Sequence, residues 1–249
     1  MVDDVDIVRG WVQDASRVTV LTGAGVSTPS GIPDFRGPNG LWTKDPSAAA
    51  MFDIDRYRAD PELRRRAWLN RRDHPAWTAA PNAAHEAFVT LEKSGRLRAL
   101  LTQNIDGLHQ AAGSSPDMVV ELHGTLFEAA CLDCGDRVPM RHMLDRVEAG
   151  EDDPACSACG GISRSATIAF GQALDRAVLD TAIEAAADCE VFVAAGTSLQ
   201  VNPAAGLCRV AQQAGARLVI ANGSITPYDT VADAVLRDDL TEVLPGVLA

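Results

Sequence analysis

The sequence contains no apolar run long enough to span a membrane, which takes about 20 consecutive residues. It also lacks the basic start of a signal peptide, because the chain begins with the acidic segment Met1-Val2-Asp3-Asp4. These absences predict a cytoplasmic protein that makes no membrane contact. Thiols stay reduced in the cytosol, so we expect none of the six cysteines to form a disulfide.

Basic residues are also in short supply. Lys and Arg number 22 against 34 Asp and Glu, which gives a net charge of −12. An acidic surface repels phosphates, so we expect no direct nucleic acid binding. The charge suits basic partners such as lysine-rich protein segments, although an acidic surface also serves solubility alone. With 249 residues, 47% of them hydrophobic, the chain can bury one full core and carry a smaller appendage.

Short apolar runs alternate with helical patterns along the chain. The predicted strands are Val18 to Thr22, Leu97 to Thr102, Val119 to Leu122, Val191 to Ala195 and Arg217 to Ala221. The predicted helices cover residues 3–15, 82–91, 175–187 and 203–214, with Asn82 as an N-cap. This alternation predicts an α/β fold with a Rossmann-type parallel sheet and helices on both faces.

Small residues follow the first of these strands. Gly23 and Gly25 lack a Cβ, so we expect their backbone N–H groups to approach a phosphate closely. Gly196-Thr197-Ser198 follows a later strand and offers hydroxyl and N–H groups to a second phosphate. Thr28 replaces the third glycine of the dinucleotide fingerprint, which disfavours a hydride-transferring Rossmann enzyme. The alternative is a tight strand-to-helix turn that binds no ligand.

Polar side chains follow two more strands. Thr102-Gln103-Asn104-Ile105-Asp106 brings two amides and a carboxylate to one strand end, and Glu121-Leu122-His123-Gly124 brings an imidazole to the next. Amides and a carboxylate suit recognition of a carboxamide such as nicotinamide, and a neutral imidazole suits general-base work. The alternatives are that His123 is only hydrogen-bonded at a strand end and that Asp106 only caps a helix.

Four of the cysteines form two pairs. Cys131-Leu-Asp-Cys134 and Cys156-Ser-Ala-Cys159 are Cys-x-x-Cys motifs separated by 21 residues. Four thiolates with this spacing indicate a tetrahedral Zn²⁺ site, and since no coordination position stays open, the metal is expected to be structural. A redox-active Cys-x-x-Cys is the alternative. Cys189 and Cys208 lie in apolar surroundings and are expected in the core.

Several motifs occur in order along the chain. They are Gly23-Ala-Gly-Val-Ser27, Gly31-Ile-Pro-Asp-Phe-Arg-Gly37, Thr102-Gln-Asn-Ile-Asp-Gly-Leu-His109, His123-Gly124, the four cysteines, Phe170-Gly171 and Gly196-Thr-Ser-Leu-Gln-Val201. In this combination, which runs from about Val18 to the C-terminus, the chain resembles the bacterial type of sirtuin. Sirtuins are zinc-containing, NAD-dependent protein lysine deacylases.

The resemblance implies a domain organisation and a reaction. Residues 1–37, 80–125 and 170–249 would form the Rossmann-type NAD-binding domain, residues 38–79 a cofactor loop and helical insertion, and residues 126–169 a zinc-ribbon small domain. NAD and an acyl-lysine protein or peptide would meet between them and yield nicotinamide, O-acyl-ADP-ribose and free lysine. Mono-ADP-ribosyl transfer from the same ribose is one alternative, and an NAD-sensing module without turnover is another.

The resemblance also implies roles for single residues. His123 would be the general base, with Asn104 and Asp106 as its catalytic neighbours. The implied cofactor-binding residues are Gly23, Ala24, Gly25, Ser27, Ile32, Asp34, Phe35, Arg36, Gln103, Ile105, Gly196, Thr197, Ser198, Asn222 and Leu240. The implied substrate-binding residues are Ile168, Phe170, Gly171, Val201, Asn202 and Arg71, with the peptide added as a strand between residues 169–172 and residues 200–203.

Some positions depart from the family pattern. Gln172 stands where the family commonly has glutamate, Ala169 where it often has an aromatic residue and Asn202 where it has tyrosine, which leaves the peptide preference open. Sirtuins that remove acidic acyl groups carry Tyr-x-x-Arg in the helical insertion, where this chain has Trp68-Leu-Asn-Arg71. Arg71 could pair with an acyl carboxylate, as in a desuccinylase. The alternative is that it belongs to a solvated, arginine-rich helix.

Overall fold

The computed structural model describes residues 4–37 and 40–249, which contain two β-sheets and the helices that cover them. The predicted helix start at Asp3 and the predicted boundary at residue 38 lie outside these residues. The strands are β1 (Val18–Thr22), β2 (Leu97–Thr102), β3 (Val119–Glu121), β4 (Gly124–Cys131), β5 (Arg137–Pro139), β6 (Ser163–Thr167), β7 (Val191–Ala195), β8 (Arg217–Ala221) and β9 (Ala234–Leu236). The α-helices are α1 (Asp4–Asp14), α2 (Leu41–Lys44), α3 (Ile54–Ala59), α4 (Pro61–Arg72), α5 (Ala83–Lys93), α6 (Leu108–Ala112), α7 (Met140–Glu148), α8 (Arg176–Ala187), α9 (Leu207–Gln213) and α10 (Leu240–Leu248).

The larger sheet has six strands in the order β3-β2-β1-β7-β8-β9, and every pairing in it is parallel. This confirms the predicted Rossmann-type α/β fold. Strands β1, β2, β7 and β8 have the predicted bounds, whereas β3 ends one residue early, at Glu121. Strand β9 was not predicted. The strand order reverses between β1 and β7, which is where folds of this kind bind ligands.

Two helical layers cover the sheet because its strands are apolar on both faces. Val18 and Val20 of β1 pack in one cluster with side chains of α1, α5 and α10, including Phe88. Leu21 points to the opposite face and packs with side chains of α8 and α9, including Ala182. Each fully buried side chain of this size contributes about 1.5–3 kcal/mol. The α5 helix begins after Asn82, whose side chain accepts the Ala84 N–H, as predicted.

The smaller sheet has the antiparallel order β5-β4-β6 and carries the cysteine pairs at one end. Trp68 of α4 packs against Ala129 of β4 and against Met140 and Leu144 of α7. The helical insertion and the cysteine-bearing segment therefore share one core. The precise domain limits stay a prediction.

The loops after β1 and β7 lie so close together that neither could carry a side chain at its glycines. A Cβ added to Gly25 would lie 2.9 Å from the backbone of Gly196, and one added to Gly23 would lie 2.8 Å from the Gly196 oxygen. The Gly23 N–H donates to the Ala195 carbonyl (3.0 Å) and the Gly25 N–H to the Gly196 carbonyl (2.9 Å). The expectation that these two N–H groups face a phosphate is therefore wrong, because both already bind protein carbonyls.

This close approach makes a testable prediction. We expect Gly25→Ala to lower the free energy of unfolding by about 1–3 kcal/mol, because its methyl group would force the two loops apart. Gly10→Ala, in the middle of α1 with no atom within 4 Å of the new Cβ, is expected to raise it by about 0.5–1 kcal/mol. Urea unfolding in the absence of nucleotide measures both. Equal stability of the Gly25 variant and the wild type would contradict the close loop contact.

Candidate functional site

The carboxyl ends of the strands bring the predicted site segments to one edge of the larger sheet. Thr22 of β1 pairs in register with Thr102 of β2 and with Ala195 of β7, and Thr102 pairs with Glu121 of β3. The residues that follow these strands therefore meet at the same edge. Asn222 follows β8 at this edge too, and its N–H donates to the Leu236 carbonyl (3.0 Å).

A buried hydrogen-bond network joins the amide and the carboxylate that were singled out in the sequence. The Asn104 Nδ2 group donates to the Gly23 carbonyl (3.1 Å) and to Ser27 Oγ (3.2 Å). Ser27 Oγ donates to Asp106 Oδ2 (2.7 Å), and the Leu108 N–H donates to Asp106 Oδ1 (3.0 Å). Asp106 thus accepts the first N–H of α6, whose N-cap is Gly107, and also belongs to the cluster with Asn104, so the alternative that it only caps a helix is wrong.

His123 lies beside this network and has a defined proton arrangement. Its Nδ1 is 3.1 Å from the Gln103 carbonyl oxygen, which can only accept, so the ring proton is assigned to Nδ1. The lone pair is then on Nε2. Burial lowers the pKa of His123, and the bond to the Gln103 backbone offsets part of this effect. The imidazole is therefore neutral near neutral pH.

Gln103 connects three of the loops at this edge. Its carbonyl binds His123, and its side-chain amide donates to Thr197 Oγ1 (2.9 Å) and to the Thr22 carbonyl (3.3 Å). The His123 carbonyl in turn accepts the Ile168 N–H (2.9 Å), so the segment predicted to bind substrate is attached to the histidine.

An aromatic cluster joins Phe35 of the predicted cofactor-binding set to Phe170 of the predicted substrate-binding set. Phe35 and Phe170 both contact Trp42, with ring centroids 4.9 and 5.5 Å apart, and Phe52 contacts Phe35. The Arg36 guanidinium lies 4.5 Å from the centre of the Trp42 ring. Trp42 and Phe52 were not singled out in the sequence, where they are two of several aromatics scattered through the insertion. Nothing in their spacing indicates that they meet Phe170.

The remaining predicted cofactor-binding residues are placed as follows. Ala24 lies in a 3₁₀ turn between Gly23 and Ser27, and Asp34 accepts the Gly37 N–H (3.0 Å). Ile32 is buried against Leu108 with Ile105 packed beside it, Ser198 follows β7, and Leu240 is the first residue of α10.

The first predicted peptide segment contains Gln172, which stands where the family commonly has glutamate. Gln172 Oε1 accepts from Arg164 Nη1 (2.6 Å) and from the Ala169 N–H (2.9 Å), so Gln172 holds the turn through Gly171. Arg164 thereby bonds a neutral amide rather than a carboxylate. In the second segment, Val201 precedes Asn202, which lines an open groove with Gln200 and Arg209.

Arg71 does not lie on a solvated helix face, so that alternative is wrong. Its Nη2 donates to Ser165 Oγ (2.9 Å) on β6, and burial, with the positive charge of Arg164 nearby, lowers its pKa to about 10. Tyr57 of α3 also lies next to Arg71 and Arg164. Within the described part of the chain, neither arginine forms an ion pair with a carboxylate. Arg164 is buried and Arg71 is half-buried, and the nearby carboxylate of Asp153 is paired with Arg64.

The four predicted metal ligands converge. Their Sγ atoms all lie within 4.8 Å of one another, with Cys131 and Cys159 3.6 Å apart and Cys134 and Cys156 3.8 Å apart. A tetrahedral Zn²⁺ with Zn–S bonds of about 2.3 Å places its sulfurs about 3.8 Å apart, so the residues fit this ion. The convergence of both pairs on one point favours a metal over a redox pair. Cys189 and Cys208 are buried elsewhere, as predicted.

A doubly wound parallel sheet with polar side chains at its switch point, joined to a ribbon whose four cysteines fit a zinc ion, is the architecture of a nucleotide-binding α/β protein with a structural metal centre. The model of the Sir2 family matches residues 23–203, and the chain belongs to this family. NAD-dependent protein deacetylase 2 of Streptomyces coelicolor is 55% identical over 231 residues, which cover 93% of this chain and 96% of that protein.

Solved Sir2 structures agree with the fold. A Sir2 variant with a deacetylated peptide and 3′-O-acetyl ADP-ribose superposes with a TM-score of 0.90 at 35% identity, covering 98% of this chain and 97% of the other. A Sir2 protein bound to a propionylated peptide gives a TM-score of 0.83 at 34% identity, covering 94% and 93%. Within residues 4–37 and 40–249, no helix is both long and apolar enough to cross a membrane.

The zinc centre makes a testable prediction. We expect the purified protein to hold one zinc ion per chain and Cys156→Ser to lose most of it, because three thiolates bind Zn²⁺ far more weakly than four. The variant is also expected to unfold at a lower temperature. Cys208→Ser serves as the control, because it alters a buried cysteine outside the cluster. Elemental analysis gives the metal content, and full zinc retention in the Cys156 variant would contradict a four-thiolate site.

Proposed function

We propose that this protein is a cytoplasmic NAD-dependent protein lysine deacetylase. The observation that carries the proposal is His123, whose unprotonated Nε2 lies at the strand edge beside the buried Asn104–Asp106 network. The name of the Streptomyces coelicolor relative supports this activity. The solved neighbour with a deacetylated peptide and acetyl ADP-ribose supports acetyl-lysine as a substrate.

Most residues at this edge would bind NAD, and one of them, His123, would accept a proton. Bound NAD supplies a ribose whose bond to nicotinamide can be exchanged for a bond to the acyl oxygen. Asn104 and Asp106 would surround the nicotinamide carboxamide, with Ile105 and Ile32 as apolar walls. The loops after β1, β7 and β8 would hold the remainder of the dinucleotide across the switch point. His123 would take a proton from a ribose hydroxyl at Nε2.

The acyl-lysine would enter from the aromatic side of the site. Phe35, Ile168 and Phe170 would line its passage, and the peptide backbone would pair with residues 169–172 and 200–203. Phe170 has 43% of its surface exposed, which suits contact with a substrate peptide that binds and dissociates in each turnover. We also propose the division into the NAD-binding domain, the insertion and the ribbon at the limits given above.

The proposal is tested by incubating the protein with NAD and an acetyl-lysine peptide. We expect equal amounts of nicotinamide, deacetylated peptide and O-acetyl-ADP-ribose by mass spectrometry, and an approximately 100-fold or greater loss of turnover in His123→Ala. NAD binding should persist in that variant, since the cofactor pocket is built from other residues. Because the base must be neutral, kcat/KM should fall at acid pH, with a midpoint below the ordinary histidine value of about 6.5.

Two results would contradict the proposal. If ADP-ribose is transferred to protein and no acetyl-ADP-ribose forms, the protein is a mono-ADP-ribosyltransferase. If NAD raises the melting temperature but nicotinamide release stays at background with the peptide present, the protein is an NAD sensor.

The uncompensated arginines favour a second candidate activity, removal of acidic acyl groups such as succinyl. Among the described residues, neither Arg71 nor Arg164 has an ion-paired carboxylate, and Arg71 donates to Ser165, three residues before the predicted tunnel residue Ile168. A carboxylate on the acyl chain would supply the missing negative charge. Trp68 fills the position of the family tyrosine, but Tyr57 from α3 places a phenol in the same region.

We expect Arg71→Met to reduce kcat/KM on a succinyl-lysine peptide by about 10-fold or more, while kcat/KM on the matching acetyl peptide changes by less than about 3-fold. The reason is that only the succinyl group carries the charge that Arg71 would bind. Arg72→Met is the matched control, since Arg72 is the next residue of α4 and its side chain is exposed against Asp73. Equal losses on both peptides would rule out contact with an acyl carboxylate.

A further inference from the structure

A chain of buried hydrogen bonds runs from a histidine outside the proposed catalytic set to the backbone of Asn104. His109 Nε2 lies 2.9 Å from Thr22 Oγ1, and Thr22 Oγ1 donates to Thr102 Oγ1 (2.8 Å). Thr102 Oγ1 also accepts the Asn104 N–H (3.0 Å). All four residues are buried, so water does not compete for these bonds.

The directions of these bonds fix the proton on His109. The Thr22 hydroxyl has one proton and donates it to Thr102 Oγ1. Its oxygen can therefore only accept a hydrogen bond from His109. His109 must therefore carry its proton on Nε2. Burial, with His85 beside it, lowers the pKa of His109 to about 3, so the ring stays neutral and holds a single proton. One tautomer alone satisfies the chain.

The chain ends at the point where β2 passes into the site. Thr22 and Thr102 are the last residues of β1 and β2 and are paired in register, so the hydroxyl pair lies at the strand ends, directly before the loop that carries Asn104. From Asn104 the contacts continue through Ser27 to Asp106. His109 is thus connected to both proposed nicotinamide contacts without touching either.

A second histidine supports this arrangement. The ring of His85 on α5 lies 5.0 Å from that of His109, and its Nδ1 accepts the Asn82 N–H (3.3 Å), which places its proton on Nε2. Among the described residues, His85 Nε2 and His109 Nδ1 have no hydrogen-bond partner. Burying two imidazoles with an unpaired nitrogen each is unfavourable compared with apolar side chains of the same size. The hydrogen bond from His109 to Thr22 explains why a polar ring, rather than an apolar side chain, occupies position 109.

We propose that His109 is a positioning residue for the nicotinamide pocket: its Nε2–H orients the Thr22 hydroxyl, which through Thr102 holds the backbone of Asn104. This inference rests on the proposed NAD-dependent function. It assigns His109 no contact with NAD or with the acyl group. Loss of the Nε2 donor would let the Thr22 and Thr102 hydroxyls rotate and would loosen the loop that carries Asn104 and Asp106.

The test compares His109→Leu, which removes the donor, with His109→Gln, whose amide Nε2 can occupy the same place. We expect kcat/KM for NAD to fall on the order of 10–100-fold in the Leu variant and to stay within about 3-fold of wild type in the Gln variant. Affinity for ADP-ribose, measured by calorimetry, should be unchanged in both, because ADP-ribose has no nicotinamide. Hydrogen exchange of the Asn104 amide, measured by NMR, should be about 10-fold faster in the Leu variant and unchanged in the Gln variant.

A pair of threonines of the same strand supplies the matched control. Thr22→Val should reproduce the His109→Leu result, whereas Thr19→Val should leave kcat/KM unchanged, because the equally buried Thr19 hydroxyl donates to the Ala185 carbonyl on the other side of the sheet. Equal effects of the Gln and Leu variants, or slow Asn104 exchange in His109→Leu, would overturn the proposal. If the wild type does not deacetylate, the proposed function fails, but the exchange data still decide whether His109 holds Asn104.

Discussion

The structure depends on one contact between backbones, the approach of the loop after β1 to the loop after β7. Gly25 and Gly196 meet with no room for a Cβ on either side, and two N–H groups of the first loop bind carbonyls at the end of β7 and in the second loop. This contact joins the two loops at the switch point of the open sheet. The N–H groups of Gly23 and Gly25 are already used, so the polar groups at this edge are side chains. They include those of Ser27, Gln103 and Thr197 together with Asn104, Asp106 and His123.

The sequence predicts those parts of this arrangement that are local or periodic. Four strands of the larger sheet have their predicted bounds because they are buried on both faces and read as unbroken apolar runs. The cysteine spacing likewise leads directly to the four-sulfur cluster. By contrast, β9 has only three residues and no distinct hydrophobic pattern, so the sequence does not indicate it. The need for glycine at positions 23 and 25 comes from contact with Gly196, which is more than 170 residues away along the chain. Helical periodicity could not show that Arg71 reaches Ser165 on β6.

Burial determines the charge state of the site more than ion pairing does. His123 and His109 are both held neutral by loss of solvent, and each has its proton fixed by a hydrogen bond to a group that can only accept. They differ in which nitrogen carries the proton, Nδ1 in His123 and Nε2 in His109. In His123 the lone pair of Nε2 is available for the proposed proton transfer, whereas in His109 the Nε2–H is directed at the Thr22 hydroxyl. The two rings therefore suit different proposed roles, His123 as a base and His109 as a support for the loop that carries Asn104.

The ribbon contributes to the site through geometry. Strand β4 begins at Gly124, directly after His123, and β6 runs into Ile168, whose N–H binds the His123 carbonyl. The proposed base and the proposed substrate segment are therefore consecutive with the two strands that lead to the cysteine cluster. A metal that holds the far ends of β4 and β6 together also fixes the spacing of their near ends, where His123 and Ile168 meet. A structural zinc can therefore affect catalysis without contacting any reacting atom.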